Sequence, residues 1–416
     1  MPARVHYHTD CAWFAGCENM LANLLNDRAN REAFDVSLSY RASPAYTAGL
    51  ERRVALDFPV FPLRFPEPST ALSTSARWPT PLRRLLRALS RLLATYPLLA
   101  YEIWVLRRLF VRLAPQVVHI NNGGYPAALS ARAAAIAAHL AGINRVVMVV
   151  NNLAEPGPRF GSTGRRAVDR SVIRSVSRFV TGSTAASAQL QRVLSLRPGH
   201  TAALANGIAL RSVSESRSET LRRLELDESN GTLFGVVALM EPRKGHRVLI
   251  DAVAELVRAD RPVAPFTVLL EGDGPLREQL QTRVRELRLE RYLRFVGNEA
   301  NVANLMSAID VLVLPSVAHE DFPNVILEAM GFGRAVIASS LAGTPEQIED
   351  GVTGILVPPG DPGALAAAIS HLLDHAALRA EMGRAGRRRF EDRFIASEAV
   401  RRYIALYHSL IAEGKS

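Results

Sequence analysis

At 416 residues with an apolar share of 48%, the chain is too long for a single core, which rarely grows past about 250–300 residues, and too apolar to be disordered. The formal charge of +10 rests almost wholly on arginine, lysine occurring only at Lys244 and Lys415. With 6% aromatic residues and no nucleic-acid motif, that charge reads as biased codon usage, so nucleic acid is excluded as a partner.

Cys11 and Cys17 match no zinc ligand set and no disulfide framework, which fits a reducing compartment. The first residues lack an apolar signal core, and no run of about 18 apolar residues is present to span a bilayer. A cytoplasmic location is expected.

In chain order, apolar runs alternate with helical stretches. Arg4–His8 is followed by a helix over 17–31, then by a strand at Val36–Ser39. Across 82–93, Leu82, Leu85, Leu86, Leu89, Leu92 and Leu93 share one helical face, and Arg83, Arg84, Arg87 and Arg91 share the other. Such a helix can lie peripherally on an anionic inner membrane leaflet or pack on its own domain. Strands follow at Gln116–Ile120, Val146–Val150 and Phe179–Thr181, with helices over 127–141, 165–176 and 184–194. A polar stretch at 207–232, flanked by Asn206-Gly207 and Asn230-Gly231, separates domains taken as 1–210 and 211–395. Six further strands are expected, at 233–238, 266–270, 293–296, 311–314, 335–338 and 355–357. The apolar stripe of the last helix, 395–411, can pack on either domain. Continuous apolar strands joined by helices imply two doubly wound parallel sheets, each with a ligand crevice at the carboxyl ends of its strands.

Three segments carry candidate chemistry. At 310–333 a buried strand leads into a loop with His319, Glu320 and Asp321, then a helix starting at Pro323 that contains Glu328. A helix start offers N–H groups and partial positive charge to a pyrophosphate, here from Asn324 and Val325, while carboxylates accept from adjacent sugar hydroxyls. Either glutamate alone is an ordinary surface charge; the whole strand–loop–helix unit reads as a site. In Glu241–His246, Lys244 keeps a compact ammonium where this chain otherwise places arginine, at a strand's carboxyl end where it can neutralise a diphosphate. Gly272 and Gly274 follow a third strand, as a tight turn or a close approach to ligand.

These elements resemble the family 4 glycosyltransferases of the GT-B fold. Glu320 and Glu328 match the E-x7-E motif, Lys244-Gly245 the K-G pair, and Gly272–Pro275 the G-D-G-P turn. Phe295–Gly297, Leu314–Ser316, Ala342–Glu346, Asn206–Ile208 and Phe14–Glu18 fit as well. The resemblance implies an α/β fold of two Rossmann-like domains facing each other across a cleft. It also implies retaining, metal-independent transfer from a nucleotide-diphosphate sugar, without a bound cofactor. Lys244 and Glu320 are the implied catalytic pair. The implied donor site adds Gly16, Arg243, Gly272, Gly274, Gly297, Phe322, Asn324, Val325 and Glu328, the last on the ribose. No Asp-x-Asp sequence occurs.

The pattern departs at Leu239, where the family has arginine, and Arg243 can substitute from the loop although the strand register points it elsewhere. It also departs at Ala15 and at Asn151-Asn152, where histidine is usual. The turn 121–125 ends a strand, so His119, Asn122, Tyr125, Asn151 and Asn152 are the expected acceptor-side residues, with His119 open to a core role. The acceptor is expected to be a glycan or lipid-linked molecule of bacterial surface polysaccharide or lipopolysaccharide synthesis. An epimerase or phosphorylase of the same fold, or a non-catalytic nucleotide-sugar-binding protein, is the alternative.

Overall fold

The computed structural model describes residues 2–11, 14, 16, 18–66, 80–154, 162–227, 231–258 and 264–413, with the backbone alone for 80–94 and 162–164. It divides into two compact units: Met1–Leu204 together with Val400–Ser416, and Ala205–Ala399. The division falls after Leu204 because Ile208 already pairs with Ile395 of the second unit, where Ile208 N–H donates to Phe394 C=O at 2.9 Å.

The first unit is built on β1 (Ala3–Thr9), β2 (Phe34–Arg41), β3 (Val60–Leu63), β4 (Val117–Asn121), β5 (Val146–Val150), β6 (Arg178–Thr181) and β7 (Thr201–Ala203). All pair in parallel, in the order β3-β2-β1-β4-β5-β6-β7. Every residue of β4 and β5 is buried, as strands covered by helices on both faces require. The edge strands β3 and β7 are shorter and have no fully buried residue. β3 contains Pro62, tolerated because an edge position leaves one side of the ladder open.

The helix expected over 17–31 is two helices, Glu18–Asn26 and Arg28–Ala33. Asp27 breaks it by capping the second, its carboxylate accepting from Asn30 N–H. The helix around 82–93 extends over Thr80–Leu113 and runs through Pro97. Its leucine and arginine faces at 82–93 lie outside the residues whose side chains are described. The last helix covers Ala396–Glu413, and Tyr403 and Tyr407 are buried. Among the described residues no helix is long and apolar enough to cross a membrane.

The second unit carries β8 (Thr232–Val237), β9 (Phe266–Glu271), β10 (Leu293–Gly297), β11 (Val311–Leu314), β12 (Ala335–Ser339) and β13 (Gly354–Val357), also parallel, in the order β10-β9-β8-β11-β12-β13. In each sheet the chain builds outward one way, then returns to the other side of its first strand. The reversal lies between β1 and β4 in one sheet and between β8 and β11 in the other. Such switch points splay the loops at the strands' carboxyl ends and leave a crevice.

Candidate functional site

The switch point of the second sheet brings together two loops distant in sequence. After β8 the chain makes a 3₁₀ turn at Pro242–Lys244 and enters the helix His246–Arg258 through Gly245. Gly245 has φ +70°, and a Cβ there would lie 1.8 Å from the Pro315 carbonyl oxygen. Only glycine allows that approach. Val317 N–H donates to Arg243 C=O at 2.8 Å, clamping this turn to the loop that follows β11.

The clamp sets Lys244 against Glu320. Lys244 Nζ donates to Glu320 Oε2 at 2.6 Å, and Ser316 Oγ donates to the same oxygen at 2.9 Å. Arg243 Nη1 stands 3.7 Å from that oxygen while Arg243 Nε pairs with Glu241 at 2.9 Å. The Lys244 and Glu320 side chains are only 12% and 9% exposed, so the pair is shielded from solvent and strongly felt. The strand register pointed Arg243 away; the 3₁₀ turn breaks that register and swings the guanidinium toward Glu320. Leu239, in the place of an arginine, is 53% exposed.

Beyond this pair the chain enters the helix Asn324–Gly331, with Pro323 at its N-cap. Gln347 Nε2 donates to Pro323 C=O at 3.1 Å, fixing the helix start from a neighbouring element. Gly333, at φ +68°, ends the helix, with Arg334 N–H donating to Ala329 C=O at 2.9 Å. Asn324 Oδ1 accepts from Asn206 at 3.4 Å, Val325 is half-buried in the first turn, and Glu328 is half-buried a turn further on.

Phe322, also expected in the donor set, lies two residues after Glu320. Its ring is buried edge-on to Phe394, centroids 5.8 Å apart, because an apolar ring gains more from the core than from a polar crevice.

Sequence reasoning missed Glu271, the last residue of β9. Its buried carboxylate accepts from Glu299 N–H at 3.1 Å. Burial pushes its pKa up to about 7, and the negative charges of Glu299 and Glu328 add to the rise. Glu271 and Glu328 therefore act on one another. The signal was an acidic residue ending an otherwise apolar buried strand directly before Gly-Asp-Gly. The glycines that follow have a packing reason of their own: a Cβ on Gly272 would stand 2.1 Å from the Ala238 carbonyl oxygen, and one on Gly274 2.7 Å from that of Met240. Gly297 C=O accepts from Gly272 N–H at 2.8 Å, tying the turn to the end of β10.

The remaining candidates lie in the first unit. Gly16 is exposed in a turn, and its carbonyl accepts from Asn19 N–H at 3.2 Å. Glu18 beside it is buried and accepts from Thr9 Oγ1 and Asn121 Nδ2, both at 2.8 Å, and from Tyr46 OH at 2.5 Å. His119, which the sequence left open to a core role, and Tyr125 are both among the expected acceptor-side residues. His119 is buried and shares a 2.7 Å hydrogen bond with Tyr407 OH; burial lowers its pKa to about 3 and keeps it neutral. Tyr125 is buried too, with its hydroxyl on Asp169 at 2.8 Å. Both rings fill core space, which their size rewards more than exposure does. Asn122 holds its own turn, its Oδ1 accepting from Ala128 N–H at 3.2 Å. Asn151 Nδ2 donates to Asn122 C=O at 2.8 Å and to Asn121 Oδ1 at 3.1 Å, while Asn152 is exposed.

Comparison with known proteins places this architecture. Residues 231–375 match the model of the family described as Glycosyl transferases group 1. The chain is 33% identical over 195 residues to a 2-deoxystreptamine glucosyltransferase of Streptomyces kanamyceticus, covering 46% of this chain and 49% of that one. It is 36% identical over 168 residues to a phosphatidyl-myo-inositol mannosyltransferase of Mycobacterium leprae, covering 39% and 43%. The matches thus span about half the length of these curated relatives. The crystal structure of Anabaena HepE in complex with UDP superposes with a TM-score of 0.74 at 22% identity, over 98% of this chain and 100% of that one. The chain therefore has the two-sheet GT-B fold, and residues 231–375 of its second unit are similar to the group 1 glycosyl transferases.

Proposed function

We propose that this protein is a retaining, metal-independent glycosyltransferase that moves a sugar from a nucleoside-diphosphate sugar to a glycan or lipid-linked acceptor. One observation carries the reading: a lysine held 2.6 Å from the loop glutamate at the switch point, directly before a helix start. Lys244 would neutralise the diphosphate together with the first N–H groups of the helix Asn324–Gly331. Glu320 would hold hydroxyls of the transferred sugar and Glu328 those of the ribose. HepE has been solved with UDP and with UDP-glucose, which supports a nucleotide-sugar donor. The relatives' names support an acceptor bearing sugar or cyclitol hydroxyls.

In this reading the bond from the anomeric carbon to the phosphate oxygen breaks, and one to the acceptor oxygen forms on the same face. The acceptor's proton passes to the departing phosphate. Lys244 stabilises the charge that appears on that phosphate as the bond lengthens. The setting would be surface polysaccharide or glycolipid assembly at the cytoplasmic side of a membrane.

The helix Thr80–Leu113 supports peripheral attachment. Tyr101, Trp104 and Val111 are exposed on it, and the Arg108 guanidinium stacks 4.8 Å over the Trp104 ring. Aromatic rings beside arginines suit an anionic interface. Binding of the protein to phosphatidylglycerol vesicles, reduced at least threefold by Trp104→Ala, is expected; equal binding to neutral and anionic vesicles contradicts the attachment.

Thermal shift against UDP, GDP and ADP, followed by transfer from the matching labelled nucleotide sugar to a lipid extract, tests the enzymatic reading. Stabilisation by one diphosphate with label appearing in lipid or glycan is expected. Stabilisation without transfer favours a non-catalytic binder.

A further inference from the structure

The switch point of the first sheet carries an ion cluster in the place where the second sheet carries Lys244 and Glu320. Asp10 directly follows β1, Arg41 ends β2, and Ser130 lies in the helix Leu129–Leu140 that follows β4. Arg41 Nε donates to Asp10 Oδ1 at 2.5 Å, and Ser130 N–H donates to Asp10 Oδ2 at 3.0 Å. Arg41 Nη2 reaches Glu102 Oε1 at 3.1 Å and Asp10 Oδ2 at 3.4 Å. Phe65 underlies the guanidinium at 5.2 Å. Behind the cluster, His8 bridges Ser39 Oγ at 2.9 Å and Ser130 Oγ at 3.1 Å.

Buried polar groups are costly unless they are hydrogen-bonded, and this cluster is satisfied except at one point. Glu102 is fully buried, and its second oxygen has no hydrogen-bond partner. Burial pushes Glu102 up to about 7. Asp10 behaves oppositely. Burial opposes its charge, yet the Arg41 guanidinium and Ser130 outweigh it and hold Asp10 below the ordinary carboxylate range. Asp10 is thus a fixed, ionised acceptor at the strand end. A carboxylate has about four lone-pair sites, so Asp10 can take a further O–H. Arg41 is engaged by two carboxylates and has little left for a phosphate.

We infer that Asp10, positioned by Arg41 and Glu102, receives a hydroxyl of an unphosphorylated polyol, the sugar or cyclitol ring of the acceptor. Naming it as acceptor rests on the transferase reading above; the polyol preference rests on the cluster alone. Asp10 would touch the ring. Arg41 and Glu102 act through Asp10 and are positioning residues.

The test is saturation-transfer NMR on the full chain with myo-inositol, D-glucose and D-galactose. Each is paired with a phosphorylated counterpart: myo-inositol 1-phosphate, glucose 6-phosphate or galactose 6-phosphate. UDP is present throughout as an internal control. Wild type is expected to give transfer to at least one polyol in preference to its phosphate, Asp10→Asn to lose it at least tenfold, and Glu102→Gln to weaken it two- to fivefold. UDP signals should be the same in all three proteins. Circular dichroism melts of each variant establish that the first unit is folded, and the milder Glu102→Gln decides if Asp10→Asn is not. No transfer to any polyol, preference for the phosphates, or polyol signals unchanged in the folded variants overturns the inference. Loss of UDP signals in wild type with Asp10-dependent polyol binding intact would instead count against the transferase reading.

Discussion

Glu320→Gln is expected to tighten nucleoside-diphosphate binding while abolishing sugar transfer. In the free protein Lys244 and Arg243 both direct charge at one carboxylate oxygen, at 2.6 and 3.7 Å. A diphosphate held by Lys244 would come within about 5 Å of that carboxylate, and at an effective dielectric near 20 the repulsion is about 3 kcal/mol per unit charge. Salt and residual solvent contact reduce it, and a relief of about 1 kcal/mol corresponds to about fivefold in affinity. Titration calorimetry with UDP compares wild type and Glu320→Gln at low and high salt, with uridine as control. The variant should bind UDP about fivefold tighter at low salt, less so at high salt, with uridine unchanged, and should transfer no sugar. Equal or weaker UDP binding by a folded variant would refute the reasoning that Glu320 competes for Lys244.

Three further outcomes are expected. Lys244→Ala leaves Glu320 buried with Arg243 at 3.7 Å as its remaining cation; breaking a buried pair costs about 3–5 kcal/mol, and the low end, about 3 kcal/mol, is expected here because Arg243 remains, or about 6–12 °C in Tm for a domain of this size. In a Glu320→Gln background most of that loss should vanish, which a double-mutant cycle by chemical denaturation reads. Leu239→Arg adds a cation at an exposed position next to the turn, so stability should hold within about 0.5 kcal/mol while UDP affinity rises; unchanged affinity would show that Arg243 already fills the role. Glu271→Gln tests the buried carboxyl. Its folded pKa is raised from 4.5 to about 7, so the folded state holds its proton more tightly and loses stability as pH rises from the unfolded value through 7. Wild type and variant should match near pH 4.5, and the variant should be the more stable by about 2 kcal/mol at pH 8, measured by urea denaturation.

The parallel sheets were legible because β4, β5, β11 and β12 are short apolar runs buried on both faces, a pattern that helices do not share at that length. The edge strands β10 and β13 were legible too, but β3 and β7 of the first sheet were not: β3 is four residues long and holds a proline, and β7 is three residues long. Lysine scarcity singled out Lys244, the strand–loop–helix unit singled out Glu320 and Glu328, and the family resemblance joined them; the direction of the Arg243 side chain was not legible, because a 3₁₀ turn has no strong signature and overrides strand register. His119 and Tyr125 lie near strand ends, where crevice and core are a single rotamer apart. Contacts such as Tyr407 on His119, 288 positions apart in sequence, pack His119 in the core. Glu271 escaped notice because one acidic residue at a strand end has no periodicity; its environment comes from Glu299 and Glu328 in other elements.

The most direct test of the account is a crystal structure of the protein bound to an unhydrolysed nucleoside-diphosphate sugar. The account predicts the diphosphate within hydrogen-bond reach of Lys244 Nζ and the first turn of the helix Asn324–Gly331, with Glu320 on the sugar and Glu328 on the ribose. A donor seated away from that lysine and helix start would contradict it.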